Sequence, residues 1–191
     1  MAEPIRLSGP GDVEALRAFV HPLRLRLLSL LRTDGPATAS ELARRVGESS
    51  GATSYHLRQL ARYGFVEDDP EQPGGRQRRW RATAPGTRIE AGAFATDPAA
   101  WALVGRLARG QLARFADDLF AFLASASEWG DQWIDAATTS DAGMRMDADR
   151  LARFTEEVRE LFVRHRDETE GATEGELISV YFGAVPTKEN S

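Results

Sequence analysis

"SSGATSYHLRQLARYGFVEDD", residues 49–69, decides the fold. Hydroxyls open the stretch, and Gly64 suits the left-handed position that ends a helix. On a wheel of about 100° per residue, Thr53, Leu57, Leu60 and Ala61 fall within an arc of about 80°. Gly51, Tyr55, Arg58 and Arg62 lie opposite, with Gln59 near them and His56 on the flank, where a structural hydrogen bond is expected. Ser49 and Ser50 are candidates for the N-cap, whose side-chain oxygen takes a free backbone N–H. Phe65-Val66 then starts a strand. The stretch is a helix with one seated side and one polar side, and its neighbours say what the polar side is for.

Upstream, "TASELARRVG" opens with Thr38-x-x-Glu41, a capping box, and Gly47 can close its helix. Before it, "HPLRLRLLSLLRTDGP" puts Pro22 in a favoured first turn, with Leu23, Leu27, Leu30 and Leu31 at helical spacing. Asp12 is the expected cap of a short helix, "VEALRAFV". Downstream, "PEQPGG" reads as a turn and "RQRRWRAT" as a second strand, with Trp80 and Ala82 on its core face.

The order helix, helix, turn, helix, hairpin is that of a helix-turn-helix followed by a wing. The chemistry matches the pattern. Small residues at the helix tip, Ser49 to Ala52, let backbone approach phosphate, and a helix N-terminus attracts an anion. Ser50, Ser54, Tyr55, Arg58, Gln59 and Arg62 supply donors and acceptors for base edges and phosphates. Arg76, Arg78 and Arg79 in the hairpin are expected on the DNA backbone or the adjacent minor groove.

Over residues 12–88 this run of motifs resembles the winged helix-turn-helix domain of ArsR-type bacterial transcriptional regulators. The resemblance implies a homodimeric repressor that sets two recognition helices, here about residues 50–63, into successive major grooves of a double-stranded operator. It also implies that Ser50, Ser54 and Tyr55 stand where that family meets DNA. The sequence departs from the metal-sensing members: it has no cysteine, and His21, His56 and His165 lie far apart along the chain. No metal site and no cofactor are expected. A winged-helix domain that binds protein rather than DNA is the alternative.

The rest of the chain has a different character. Residues 21–88 carry 12 Arg against 7 Asp/Glu, whereas residues 89–191 carry 10 Lys/Arg against 19 Asp/Glu. A basic front and an acidic back suggest two jobs, one facing an anion. "APGTRIEAGAFAT" reads as a linker. From Asp97 a long helix follows, with Trp101, Val104, Ala108, Leu112, Phe115, Leu119 and Phe122 as its inward stripe. "WIDAATT" and "GMRMD" read as extended, and "ELISVYFGAV" as a strand. "DADRLARFTEEVRELFVRHRD" reads as a helix with Leu151, Phe154, Val158 and Leu161 inward, and "PTKENS" as a disordered tail.

The expected fold is mainly α with small β (α+β). A DNA-binding winged helix-turn-helix occupies residues 12–88. Residues 97–185 form a C-terminal region with a long helix and a few short strands. The aromatic residues of that region read as core and dimer interface, with a pocket for a small-molecule effector as the rival use. The long helix and the first helix are the candidates for dimer contact. No nucleophile–base pair or phosphate loop marks an enzyme. No apolar run reaches the roughly 20 residues of a membrane helix. The start of the chain lacks the pattern of a signal peptide. With no cysteine, the expected location is the cytoplasm.

Overall fold

The computed structural model describes residues 3–71, 78–169, 171–172 and 174–188. The elements in order are β1 (Ile5–Leu7), α1 (Val13–Phe19), α2 (Pro22–Thr33), β2 (Ala37–Thr38), α3 (Ala39–Val46), α4 (Ser50–Arg62), β3 (Val66–Asp68), β4 (Arg79–Ala82), β5 (Thr87–Ile89), α5 (Pro98–Ala124), α6 (Asp131–Ala136) and α7 (Ala148–Glu168). The fold is α+β: a winged helix-turn-helix followed by a helical C-terminal region. The chain divides into two compact units, Met1–Gly110 and Gln111–Ser191, and the division falls inside α5.

Unit 1 has a closed core. Leu16 and Phe19 of α1, Leu27, Leu28 and Leu31 of α2, Leu42 and Val46 of α3, and Leu57 and Leu60 of α4 meet Phe65, Val66 and Trp80 of the wing. The helices form where their ends are satisfied locally. Pro22 takes the first turn of α2, where a missing N–H costs nothing. Thr38 Oγ1 accepts from Glu41 N at 3.2 Å, and Thr38 N donates to Glu41 Oε2 at 2.7 Å, so the capping box of α3 is complete. Gly47 ends α3 at φ 73°, a conformation that costs a side-chain-bearing residue more.

Asp12 stands at the N-cap position of α1 as expected, but its side chain makes no capping bond there. Its carboxylate accepts from Ser8 N at 2.8 Å and Gly9 N at 3.2 Å, so it holds the preceding 3-10 turn. The wing is a three-stranded antiparallel sheet, β2-β4-β3, because residues 37–38 join the hairpin. Ala37 pairs with Trp80, and Glu67 pairs with Arg81.

Residues 84–96, expected as a linker, are folded. β5 pairs in parallel with β1, Ile5 beside Thr87, and Phe94 is fully buried in the core. In α5 the inward stripe is Ala100, Leu103 and Leu107, with Val104 packed at its edge. Trp101 and Leu112, expected inward, are exposed. An Ala- and Leu-rich helix offers two stripes on one wheel, and the narrower one fits the existing core.

Unit 2 departs further from expectation. Residues 133–136 of "WIDAATT" belong to helix α6 rather than to extended chain, with Asp131 in its first turn where a carboxylate favours the helix dipole. Residues 137–147, including "GMRMD", have no regular structure. The segment 176–185 forms no strand among the described residues, because no neighbouring backbone is there to pair with it. It is held by side chains instead. Ser179 Oγ donates to Asp118 Oδ2 at 2.7 Å, and Tyr181 stacks on Phe115 with centroids 5.8 Å apart. Phe182 meets Phe154 and Phe162 of α7 at 5.8 and 6.5 Å. α7 is helical as expected, but Leu151, Phe154 and Val158 are only half-buried and Leu161 is exposed.

Candidate nucleic-acid interface

The site is built on α4, and α2 sets its frame. Arg26 of α2 reaches the end of α3 and donates to Arg45 O at 3.1 Å and Val46 O at 3.4 Å. A cation on otherwise unpaired C-terminal carbonyls suits both their hydrogen bonding and the helix dipole. Arg24 does the same for α1, donating to Ala18 O and, at 3.2 Å, to Arg17 O. These two arginines of "HPLRLRLL" are therefore structural bolts. Arg26 holds the end of α3, from which the turn leads into α4, and Arg24 holds the junction of α1 and α2.

The turn passes directly into α4. Ser49 is the N-cap, and its hydroxyl accepts from Ala52 N at 3.1 Å. Ser50 is the first helical residue and is exposed, as is Gly51. Thr53, Leu57 and Leu60 are fully buried, so the inner face is as the helical wheel indicated. Tyr55 is 52% exposed, Arg58 and Arg62 are exposed, and Ser54 and Gln59 are half-buried beside them. The structure thus brings Ser50, Ser54, Tyr55, Arg58, Gln59 and Arg62 onto one helix, with no acidic residue anywhere in α4. Arg62 lies 5.8 Å from the centroid of the Tyr63 ring.

The wing behaves differently. Arg76 lies outside the described residues. Arg78 bonds Asp68 and lies 3.9 Å over the Trp80 ring. Arg79 sits 3.6 Å from Asp69 and donates to Pro36 O. Arg81 reaches Glu67 through Nε and Nη2 at 2.8 and 2.6 Å. The strand register causes this, since Glu67 and Asp68 stand directly across from Arg81 and Trp80. Over residues 66–82 the four arginines are matched by four carboxylates. Of the arginines read as a grip for an anion, Arg78 and Arg79 are paired in the fold with carboxylates of the opposite strand. Trp80 is buried, so it is core rather than a stacking platform.

One cluster has no sequence signal. His21, just before α2, and His56 of α4 pack together with centroids 4.6 Å apart and planes at 38°. Tyr55 meets His56 edge-on at 5.2 Å. Nδ1 of each histidine is buried without a hydrogen-bond partner, so the structural hydrogen bond expected of His56 is replaced by ring packing. Both imidazoles are held below their ordinary pKa, first by burial and then by the charge of Arg24; His56 also lowers His21, while Glu48 opposes the shift at His56. Two histidines 35 positions apart give no periodic clue, and only the packing of α4 beside the start of α2 unites them. Among the described residues no group of three or more metal-binding side chains is assembled.

With this geometry established, similarities to known proteins take their place. Residues 19–69, from the end of α1 to just past β3, match the family described as a helix-turn-helix domain. The match spans α2, α3 and α4 and stops inside the wing. Among solved structures, the chain is similar to one titled "Reduced HlyU from Vibrio cholerae N16961", at 23% identity and a TM-score of 0.34, covering 51% of this chain and 85% of that one. No curated protein matches the chain. Among the described residues no helix is long and apolar enough to cross a membrane.

Proposed function

We propose that the protein is a transcriptional regulator that binds double-stranded DNA through α4, as a homodimer and in the sense of a repressor. The observation that carries this reading is the outer face of α4. A helix seated by three fully buried side chains presents Tyr55, Arg58 and Arg62, with a small-residue tip at Ser50 and Gly51 and no acid to repel phosphate. A major groove accepts one α-helix, and arginine reads guanine edges through two hydrogen bonds. Unit 1 as a whole carries 16 Lys/Arg against 12 Asp/Glu, a surplus of the sign that DNA requires. The homodimer and the repressor role come from the resemblance to ArsR-type regulators. A dimer would place its half-sites about one helical turn apart. The wing contributes position more than charge, because Arg78 and Arg79 start out paired with Asp68 and Asp69.

The test is a fluorescence-anisotropy titration with DNA from the protein's own promoter region, repeated over a range of salt. Arg58→Ala should weaken binding by about 1–3 kcal/mol and relax the preference at one base pair. Parent-like binding by both Arg58→Ala and Tyr55→Ala would sink the assignment. The neutral wing favours one rival, a winged helix that binds protein. That rival gains if no DNA gives a salt-dependent signal.

A further inference from the structure

We infer that unit 2 is one half of an interface with a second copy of this chain, made by the apolar stripe of α7 and the segment 176–185 lying along it. The inference deepens the homodimer reading above and rests on that reading for its two-fold symmetry.

Among the described residues, all 21 buried hydrophobic ones belong to unit 1, the last being Leu107. In unit 2 no described residue is buried. Of the 14 exposed large hydrophobics among the described residues, 12 lie in unit 2, among them Leu161, Phe162, Leu177, Ile178, Val180 and Val185. A helix of 21 residues gains most of its stability by burying an apolar face. The stripe Leu151, Phe154, Val158 and Leu161 is such a face, and within the chain it is covered only in part.

The uncovered surface is continuous. Phe182 touches both Phe154 and Phe162, so the segment lies on α7. Tyr181 stacks on Phe115, which ties the same segment to the second half of α5. Ile178 and Val180, next to those anchors, are left exposed. The sequence there is that of a strand, rich in β-branched and aromatic residues, and among the described residues no strand lies beside it. Two copies of one segment meeting across a two-fold axis run antiparallel, so each can supply the other's neighbour.

Area and charge select the occupant. Seven of those twelve side chains belong to α7 and the segment 176–185. Exposing on the order of 100 Å² each, they give roughly 700 Å², close to the about 800 Å² per partner of a stable interface. Residues 111–191 carry 8 Lys/Arg against 17 Asp/Glu, net −9, which excludes nucleic acid and anionic membranes as the occupant. The same charge opposes a second copy, but between exposed side chains it is screened over about 8 Å at physiological salt, so the apolar area decides. A unit without an interior needs its partner whenever it folds. A second copy is the macromolecule always present when the chain is made.

Sedimentation velocity of the full chain over a concentration series tests this, with Leu161→Glu and Ile178→Glu beside the parent. Both residues are exposed in one protomer, at 40% and 60%, so a charge there costs little unless a partner covers them. The parent should be a dimer, and each variant should raise the dimer Kd by at least about tenfold, near 1.4 kcal/mol. Amide exchange supplies the second reading. Protection of residues 151–168 and 176–185 should fall on dilution of the parent, while that of α2, α3 and α4 stays. A parent that is monomeric throughout, a dimer indifferent to both variants, or protection independent of concentration would overturn the inference. A dimer that ignores DNA leaves the interface standing and sinks the DNA reading; a monomer that binds DNA does the reverse.

Discussion

His21 and His56 show what a single pair of side chains sets for the whole DNA-facing unit. Protonating either ring puts a charge beside Arg24 and turns a buried, unpartnered Nδ1 into a donor with nothing to accept it. His21 also sits at the start of α2, where the helix dipole disfavours a cation. Both folded pKa values therefore lie below the ordinary 6.5. In the window between the folded values and 6.5, the unfolded chain binds more protons than the folded one, so stability falls as pH drops. The contribution of the neutral pair is complete above that window and gone below it. Urea unfolding followed between about pH 7 and pH 5 should show a falling midpoint, and His56→Gln should flatten it. An unchanged slope in the variant would mean that other groups carry the effect. Glu41 acts in a separate, lower window. The hydrogen bonds from Thr38 hold its pKa below the usual 4.5, so its share of stability is lost only as pH falls through that lower value.

At the scale of elements, the wing is the part whose role changes most once its partners are visible. Arg78 is held between Asp68 and the face of Trp80. Asp68→Asn removes one negative charge and releases Arg78 for phosphate. Binding to every DNA sequence should tighten, and the salt dependence should steepen by up to about one counterion. Titrations at several salt concentrations read both quantities; weaker binding would mean that the Asp68–Arg78 pair itself shapes the wing for DNA. The sequence exposed α2, α3 and α4 well, because caps, glycine stops and a single apolar stripe are signals confined to a few neighbouring residues. It exposed the polar face of α4 for the same reason. It hid whatever depends on distant partners. β1 and β5 are three residues each and pair across some 80 positions, too short for any alternation to show. The arginines of the wing looked free because their carboxylates stand on the opposite strand. In "ELISVYFGAV" the composition of a strand was legible, whereas the absence of a neighbouring strand was not.

For the whole molecule, the decisive fact is that among the described residues every buried hydrophobic side chain belongs to one core, which closes by Leu107. α5 enters that core with Ala100, Leu103 and Leu107, and the division between units comes three residues later, at Gly110. A chain ended at Gly110 keeps every buried hydrophobic side chain found among the described residues. It should therefore unfold in one cooperative transition, with only the last turn of the shortened helix frayed. It also loses the acidic unit and, on the inference above, the contact between copies. The expected outcome on DNA is split. Affinity for a single half-site should be kept, or raised at low salt as the −9 charge of unit 2 is removed. The gain from placing two half-sites on one duplex should vanish, because that gain is an effective-concentration effect that requires the two recognition helices to be linked. Titrating the shortened and full chains against duplexes with one and two half-sites measures each quantity separately. If the shortened chain still binds the double site far more tightly than the single one, the link between copies lies within residues 1–110, and α1 or the first half of α5 must supply it.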